Sequence, residues 1–559
     1  MKKTLLWIIG ALLMACNSTN NSFNNAEKPD AVLKNAPFSR GVNFSQWFEA
    51  SDAQAIQFTR FIEQDFIDVK SLGADVIRLP VKMHDMTQGE PDFILDPLLL
   101  KFLDTAIDWA EKHKLYIIID NHSFDPVAPT DTNIDGILIK VWEQMARRYK
   151  DRSAYIIYEI LNEPHGISDS RWGEIQGSVI EAIREIDTTH TIIVGGTDYN
   201  SIGKLLLMPE YSDSNLLYTF HFYDPHMFTH QGATWGEPSM ASLAGVPFPY
   251  DRKRMPQTPG NLKGTWVEGS IKNYEYDANI SNLTGKLDRV VAFSRERDVP
   301  VFCGEFGVYM IQSPADDRVK WYKFTAGELA KRNIAWASWD YFGGFGIFNK
   351  PFGGDFNSDL NVAVVRAMGF TPPPQRTHLS KPLSSGFTIY DDYPSREFSV
   401  GYWGAETEFS MYDTRAAEGE YAIRWGNPNQ YEIFWIAFDR NGDFSKLVAD
   451  GYSLEFRAST SQQVKFDVRF VNPENSGSIP WRMRYSVDQT LLPPDGQWHT
   501  IRIPLSRMSE HGAWVNATES WLNPQGKFSW KDVRQLDFVS EDGDMKNCYI
   551  WFDSIKITL

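Results

Sequence analysis

Residues 38 to 370 alternate between short apolar runs and longer segments in which apolar residues recur every three or four positions. Runs rich in Ile, Val, Tyr and Phe are typical of strands that are buried on both faces, as in a parallel sheet. The longer segments, such as FIEQDFIDVKSLG and LLLKFLDTAIDWAEKH, are typical of amphipathic helices. The strand-like runs begin near residues 40, 75, 115, 155, 191, 216, 300 and 335. These eight β-α units predict an α/β fold, a closed (β/α)8 TIM barrel over residues 37–371.

After residue 386 the period of the pattern changes to two. The segments YSLEFRA, VKFDVRF, HTIRIPL and YIWFDSIKI alternate apolar and polar residues, and turns rich in Gly, Pro, Asn and Asp separate them. This alternation is typical of antiparallel strands that turn one face to a core. We therefore predict an all-β sandwich over residues 387–559, joined to the barrel by a Pro-rich linker over residues 372–386.

The N-terminus has the features of an export signal. Two lysines precede an apolar stretch from Leu5 to Leu13, which is too short for a stable membrane anchor. The Leu-Met-Ala-Cys sequence at its end resembles a bacterial lipoprotein signal, in which Cys16 becomes the lipidated first residue. The alternative is an ordinary cleaved signal. We expect a signal peptide over residues 1–15, a flexible tether over residues 16–36, and an exported protein held by its lipid at the cell surface or outer membrane.

Composition narrows the choice of partners. The formal net charge of −17 over 559 residues argues against nucleic acid and against an anionic membrane surface, and a neutral substrate fits better. The 19 Trp residues are many, and their flat rings suit stacking on sugars as well as core packing. Apart from Cys16, only Cys303 and Cys548 are present, in different predicted domains. Neither a disulfide framework nor a cysteine metal site follows from them.

Polar residues cluster where the predicted barrel strands end. Glu163 follows the run AYIIYEIL and Asn162, and Glu305 follows VPVFCG. Other polar or aromatic residues at strand ends are Arg78, His122, His221, Tyr223 and Trp339. Because the carboxyl ends of barrel strands meet at one face, we expect these side chains to share a pocket. Two carboxylates in one cleft, held in different protonation states, are what cleavage of a glycosidic bond requires; the alternative is that each is a solvated loop charge.

The pattern resembles glycoside hydrolase family 5, the large cellulase family. The likeness rests on Asn-Glu-Pro after the fourth strand, Gly-Glu-Phe-Gly after the seventh, and the opening Gly41-Val42-Asn43. The resemblance implies that Glu163 is the general acid/base, that Glu305 is the nucleophile, and that catalysis needs no cofactor and no metal. It also implies supporting roles: Asn162 bonds the 2-hydroxyl of the sugar, Arg78 and Tyr223 keep the nucleophile ionised and oriented, His122 and His221 line the cleavage subsite, and Trp339 lies under its sugar.

Physical chemistry supports the same roles. A nucleophile must stay ionised, and a neighbouring cation such as Arg78 and a donor such as the Tyr223 hydroxyl lower its pKa. The acid must keep a proton near neutral pH, which follows when the other carboxylate is charged and close. The structural alternatives are a buried network for Arg78 and the histidines, and core packing for Trp339.

The predicted sandwich resembles jelly-roll carbohydrate-binding modules. The likeness rests on its alternation, its aromatic content and its closing FDSIKI strand. We expect two or three of its tryptophans to face solvent; the candidates are Trp403, Trp425, Trp435, Trp481, Trp498, Trp514, Trp521 and Trp530. The resemblance also implies a structural calcium with Asp553 as a ligand. In the barrel, we expect Trp47 to be a further sugar platform and residues 226–279 to form one wall of the cleft.

The favoured function is that of a monomeric, endo-acting, retaining β-1,4-glucanase on β-linked polysaccharide. Mannanase, xyloglucanase, mixed-linkage glucanase and xylanase are alternatives, because the same residues serve all of them. A non-catalytic, surface glycan-binding lipoprotein is the alternative from another class. Glu163 and Glu305 argue against it, since binding needs neither an acid nor a nucleophile.

A lipid anchor is directly testable. If Cys16 is lipidated, the wild-type protein partitions with membranes, and Cys16→Ala disrupts lipoprotein processing because the acylated thiol is lost. Cell fractionation of both proteins checks this. Wild-type protein that is wholly soluble outside the cell would contradict the prediction.

Overall fold

The computed structural model describes residues 34–351, 353–377, 381–474 and 479–559. The predicted signal peptide, the lipidation site Cys16 and most of the predicted tether lie outside these residues. Within the described part of the chain, none of the helices combines the length and the apolar character that crossing a bilayer requires.

Eight parallel strands close into a barrel, as predicted. They are β1 Arg40–Asn43, β2 Val76–Val81, β3 Tyr116–Asn121, β4 Ile156–Glu159, β5 Thr191–Gly195, β6 Leu216–His221, β7 Val301–Glu305 and β8 Ala335–Ser338. Each pairs in parallel with its neighbour, and β8 pairs with β1 through Gly41 and Ala337. The barrel therefore brings all eight strand ends to one face.

Helices surround the barrel. They are α1 Glu63–Leu72, α2 Pro97–Lys112, α3 Asp135–Tyr149, α4 Asp169–Arg184, α5 Thr197–Asn200, α6 Ile202–Leu205, α7 His226–Thr229, α8 Trp266–Asp277, α9 Ile280–Arg297, α10 Ala315–Lys331 and α11 Val362–Ala367. Local sequence explains their ends. Asp96 caps α2 by accepting a hydrogen bond from Leu98 N at 2.7 Å, and Pro97 is its first residue. Gly73, with φ of 95°, ends α1 in the left-handed region.

The interior of the barrel changes from apolar to charged along the strands. A separate apolar cluster fills its N-terminal part: Phe38, Val76, Ile118, Ile157, Ile193, Leu217, Phe302, Ala335 and Ala337. Side chains alternate along a strand, so the residue two positions further on faces the same interior. On β2, β3 and β4 those residues are Arg78, Asp120 and Glu159, all buried. The charged layer thus lies directly on an apolar floor.

The C-terminal domain consists of two antiparallel sheets, as predicted. Its elements are β9 Phe387–Asp391, β10 Tyr393–Pro394, β11 Phe398–Trp403, β12 Glu408–Asp413, β13 Ala422–Gly426, β14 Ile433–Gly442, α12 Ser445–Ala449, β15 Ser453–Ser459, β16 Phe466–Val471, β17 Arg482–Val487, β18 His499–Pro504, β19 Ser509–Val515, β20 Ser520–Leu522, β21 Val533–Val539 and β22 Tyr549–Thr558. One sheet runs from β11 to β20, and the other is built around the long strand β22.

Three tryptophans of this domain are among its exposed large side chains, which agrees with the expected number. Trp403 is 63% exposed at the end of β11. Trp514 and Trp521 are cross-strand partners on β19 and β20 and are 40% and 38% exposed. The two sites lie at opposite ends of the same sheet.

Candidate active site

The buried guanidinium of Arg78 is the centre of a charged network. Its Nε and Nη2 donate to the two carboxylate oxygens of Glu159 at 2.7 and 3.0 Å. Its Nη1 donates to Glu305 Oε1 at 2.7 Å, and Nη2 lies 3.0 Å from Asp120 Oδ2. Arg78 and Asp120 are fully buried, so these charges interact with little screening by water.

Two amides complete the coordination of Arg78. Its Nη1 also donates to Asn43 Oδ1 at 3.0 Å, and its Nη2 donates to Asn162 Oδ1 at 2.8 Å. Asn43 Nδ2 donates a hydrogen bond to the carbonyl of Gly304, the residue before Glu305. The guanidinium therefore fixes side chains from β1, β2, β3, β4 and β7 in one arrangement.

Glu305 is the last residue of β7 rather than the first residue after it, and both of its oxygens accept hydrogen bonds. Arg78 donates to Oε1, and the Tyr223 hydroxyl donates to Oε2 at 2.8 Å. Burial and the nearby Glu305 carboxylate raise the pKa of Tyr223 well above its usual range, so the phenol stays a donor. Arg78 and Tyr223 thus hold both oxygens of Glu305 in a fixed orientation, which a nucleophile needs.

Glu163 follows β4 in a left-handed conformation, with φ of 44°. This region is rarely adopted by residues with a side chain and is common at functional sites. Its carboxylate is 16% exposed, and Oε1 lies 2.6 Å from His221 Nδ1. Burial raises the pKa of Glu163 to about 7, while His122 and Arg78 oppose the shift. The carboxyl group thus keeps a proton near neutral pH.

The two glutamates lie close together. One oxygen of Glu163, one oxygen of Glu305 and a ring nitrogen of His221 all lie within 4.8 Å of one another. Burial lowers the pKa of His221 to about 4, so its imidazole is neutral at pH 7 and binds Glu163 as a neutral donor or acceptor. Glu163 therefore shares its pocket with a neutral imidazole and with Glu305, whose two oxygens both accept hydrogen bonds.

His122 and Trp339 form the opposite side of the pocket. Their rings are parallel within 10°, with centroids 5.6 Å apart. His122 Nδ1 hydrogen-bonds Asp120 Oδ2 at 2.6 Å, while Nε2 lies 3.5 Å from Asn162 Nδ2 and 3.7 Å from Glu49 Oε1. The Asp120 contact orients the imidazole, as carboxylates commonly do for functional histidines.

All eight barrel residues predicted for the site therefore meet at one face. Four neighbours were missed in those predictions: Asn43 was quoted without a role, and Asp120, Glu159 and Glu49 were given none. A signal was present for two of them, because Asp120 and Glu159 each lie two residues beyond an inward-facing isoleucine. Glu49 lies in a loop after β1, where no periodic pattern predicts where its side chain points.

The prediction that Trp47 is a sugar platform is wrong. Trp47 is 1% exposed, and its ring packs among Phe48, Phe61 and Trp109. Its indole N–H donates to the carbonyl of Phe58 at 2.9 Å. The residue belongs to the core because the loop after β1 folds back over it.

Residues 226–279 border the pocket, as expected. Within them, Trp235 is 46% exposed and lies 6.0 Å from Phe345, whose ring is 6.0 Å from that of Tyr223. The rings of His226 and His230 stack at 4.1 Å, and burial lowers the pKa of both imidazoles. This segment therefore adds aromatic surface next to Tyr223, which hydrogen-bonds Glu305.

Candidate metal ligands occur in both domains. Glu163, His221 and Glu305 have donor atoms close enough for a cation, but both Glu305 oxygens already accept hydrogen bonds. In the C-terminal domain, Asp553 accepts hydrogen bonds from the backbone N–H groups of residues 417, 418 and 554. These donors occupy the oxygens that a calcium ion would use, and the calcium site stays a prediction.

Family models match both domains. The model described as cellulase (glycosyl hydrolase family 5) matches residues 36–343, which fall on the barrel. The model described as carbohydrate binding domain 30 matches residues 387–559, which fall on the sandwich. The predicted resemblances of both domains are confirmed.

Several curated proteins are similar to parts of the chain. Endoglucanase 3 of Fibrobacter succinogenes is 29% identical over 339 residues, covering 56% of this chain and 50% of that protein. Endoglucanase C of Acetivibrio thermocellus is 28% identical over 327 residues, covering 54% and 91%. Endoglucanase H of the same organism is 25% identical over 468 residues, covering 80% and 46%. The chain thus spans about half the length of two of these relatives.

A solved hyperthermophilic endo-β-1,4-glucanase in complex with substrate has the same barrel fold. Its TM-score is 0.50 at 23% identity, and the match covers 59% of this chain and 97% of that one.

The raised pKa of Glu163 makes a prediction about stability. The folded protein binds this proton more tightly than the unfolded chain does, so the stabilisation is complete below pH 4.5 and is lost as the pH rises through about 7. Glu163→Gln stays neutral, and we expect its unfolding midpoint to rise relative to wild type between about pH 5 and about pH 8. Thermal scans across this range measure the difference.

Glu185→Gln is the control, since Glu185 is exposed at the end of α4. Its difference from wild type should not change with pH in this way. A Glu163→Gln difference that is constant over the same range would contradict the raised pKa.

Proposed function

This chain belongs to glycosyl hydrolase family 5, the cellulase family, and on that premise we propose that it is an endo-acting, retaining β-1,4-glucanase. One observation carries the mechanism: one carboxyl oxygen of Glu163 and one of Glu305 lie within 4.8 Å of each other. Retaining enzymes separate their two carboxyl groups by about 5 Å, whereas inverting enzymes need a wider gap for a water molecule. Direct attack by one glutamate on the sugar follows from this geometry.

In the first step Glu305 attacks the anomeric carbon. The ionised carboxylate, held by Arg78 and Tyr223, forms an ester bond to that carbon as the glycosidic C–O bond breaks. Glu163 gives its proton to the departing oxygen, so the leaving chain is released as a neutral alcohol. The enzyme is left with a glycosyl ester on Glu305 and an ionised Glu163.

In the second step water replaces the departed chain. Glu163, now ionised, takes a proton from the water as its oxygen bonds to the anomeric carbon, and the ester bond to Glu305 breaks. Glu305 returns as a carboxylate and Glu163 as an acid. Two displacements on opposite faces of the sugar give net retention of configuration.

Other pocket residues bind the sugar and stabilise the positive charge that develops on it. Trp339 lies parallel to His122 at one side of the site, where its π face can stack on the sugar ring and attract that charge. Asn162 is fixed by Arg78 through its oxygen, and one N–H of its amide lies toward His122, which leaves the other N–H to donate to a sugar hydroxyl. None of these roles requires a cofactor.

The substrate is proposed to be a β-1,4-linked glucan, acted on by one chain as a monomer. The curated relatives are named endoglucanases, and the family and the carbohydrate-binding domain both support a β-glycan. Mannanase, xyloglucanase and mixed-linkage glucanase activities are the alternatives, because the pocket residues serve them equally. A non-catalytic glycan-binding protein is disfavoured, because binding alone needs neither the paired carboxyl groups nor the raised pKa of Glu163.

The proposed location is the outside of the cell. A polysaccharide cannot cross a membrane, so an enzyme that cuts it internally must be exported, and the signal-like N-terminus with Cys16 supplies export and a lipid anchor.

The mechanism is tested by separating the roles of the glutamates. Glu305→Ala should lose turnover by a factor of about 10⁴ or more with the fold intact, because no covalent intermediate forms. Glu163→Ala should lose activity on natural glucans but retain it on aryl cellobiosides with good leaving groups, which need little acid assistance. Steady-state rates on both substrate types measure this, and circular dichroism checks the fold.

Product stereochemistry gives an independent check. Proton NMR of the first products should show the β-anomer before mutarotation. Initial release of the α-anomer would refute the double displacement.

Substrate class is tested with a panel of soluble β-glucan, mannan, xyloglucan and xylan. We expect the highest rate of reducing-end release on the β-1,4-glucan, with a rapid fall in viscosity that marks internal cleavage. A mannan or xyloglucan rate above the glucan rate would replace the proposed substrate, and no release from any polymer would favour the binding-protein alternative.

A further inference from the structure

The loop between β1 and α1, residues 44–62, connects the active site to the C-terminal domain; it is called the rim loop below. Its first part lies at the pocket. Ser45 Oγ hydrogen-bonds the buried carboxylate of Asp340, the residue after Trp339. Glu49 Oε1 lies 3.7 Å from His122 Nε2, and the Glu49 side chain is 18% exposed. The rim loop therefore forms one side of the site that holds His122 and Trp339.

The later part of the rim loop is bonded to the C-terminal domain. The hydrogen bonds between them include Ser410 Oγ to Gln54 Oε1, Tyr412 Oη to Ile56 O, Phe58 N to Tyr412 Oη, Gln57 Nε2 to Val400 O, and Thr59 Oγ1 to Pro394 O. The domain partners lie on or at the ends of β10, β11 and β12. A loop of this length has little regular structure of its own, apart from two single-turn 3₁₀ helices.

Tyr412 makes two of the hydrogen bonds to the rim loop. Its hydroxyl donates to the carbonyl of Ile56 and accepts from the N–H of Phe58 at 3.2 Å. The side chain is 3% exposed, and its ring packs edge-on against Phe102 of α2 at 5.0 Å. One phenol thus satisfies two backbone groups of the rim loop in a buried setting, where unpaired polar groups are costly.

An ion pair between Arg396 and Asp65 fixes the end of the rim loop. Arg396 Nη2 lies 2.5 Å from Asp65 Oδ1, and Asp65 also accepts from the N–H of Ile62 at 2.8 Å. The Tyr341 hydroxyl reaches the same Asp65 oxygen at 3.4 Å. Tyr341 follows Asp340 in the chain, so the Asp65 contact connects to the side of the pocket that holds Trp339.

We propose that the C-terminal domain is a structural part of the active site, in which Tyr412 is a positioning residue that holds the rim loop and thereby keeps Glu49 beside His122. This inference rests on the proposed glycosidase function. It differs from substrate tethering, which raises the local concentration of a polymer and leaves short soluble substrates unaffected. A loosened rim loop lowers the rate of cleavage of every substrate that enters the pocket.

The test compares Tyr412→Phe with Tyr390→Phe in the full chain. Tyr390 is also buried, and its hydroxyl donates at 2.6 Å to the carbonyl of Met411, inside the C-terminal domain. Both variants lose one buried hydroxyl. We expect Tyr412→Phe to lower kcat/KM on a soluble aryl cello-oligosaccharide by about tenfold, the scale of one buried hydrogen bond, and Tyr390→Phe to change it by less than about twofold.

A double-mutant cycle gives a readout that a general loss of folding would not move. If Tyr412 acts through Glu49, adding Tyr412→Phe to Glu49→Gln costs less than about twofold, because the contact is already altered. Titration of the active fraction with a 2-deoxy-2-fluoro glycoside corrects all rates for unfolded protein. Gln57→Ala, which removes only the bond to Val400 O, is a milder second variant with an expected loss in the same direction.

Three results would overturn the inference: equal losses for the two tyrosine variants, no loss for Tyr412→Phe and Gln57→Ala, or a full tenfold loss for Tyr412→Phe in the Glu49→Gln background. Wild-type protein with no activity on any glycan would instead refute the proposed function. The two failures are therefore distinguishable.

Discussion

The burial of Arg78 among carboxylates is the constraint on which the site depends. Asp120, Glu159, Glu163 and Glu305 lie around one guanidinium. Four ionised carboxylates against one cation would leave a large uncompensated charge in a poorly solvated interior. The structure resolves this by raising the pKa of Asp120 and of Glu163 to about 7 and that of Glu159 above its usual value, with burial as the main cause. Arg78 and Tyr223 meanwhile supply donors to both oxygens of Glu305.

The main cause of the raised pKa of Glu163 in the structure is not the one that the sequence indicates. From the sequence, the proton on Glu163 was attributed to a second charged carboxylate nearby. In the structure the largest cause is the removal of water, and the neighbouring His122 and Arg78 act in the opposite direction. Depth of burial is a property of the assembled barrel, which a motif such as Asn-Glu-Pro does not contain. The position of Glu163 in the pocket beside Glu305 is therefore predictable from the sequence, while the main origin of its raised pKa is not.

Much of the fold could be predicted because its signals are local. All eight barrel strands begin within a residue of the predicted positions, since each is a continuous apolar run with polar residues at its end. Trp47 was misplaced for the opposite reason: its burial depends on the path of a loop that folds back on Phe61 and Trp109. Tyr412 was equally hidden, because an alternating strand pattern does not reveal that one of its tyrosines meets a loop more than 350 residues earlier.

The packed boundary between the barrel and the sandwich also bears on how such proteins arise by recombination. Phe58 and Phe102 of the barrel lie against Tyr393 and Tyr412 of the sandwich, and the Lys101 ammonium lies against the ring of Tyr421. A gene rearrangement that exchanged the sandwich for an unrelated one would uncover these aromatic rings and leave the carbonyl of Ile56 without its donor. The barrel and the sandwich therefore cannot be exchanged independently of each other. A successful exchange must bring a matching surface with the new domain, so the pair is inherited most easily as one unit.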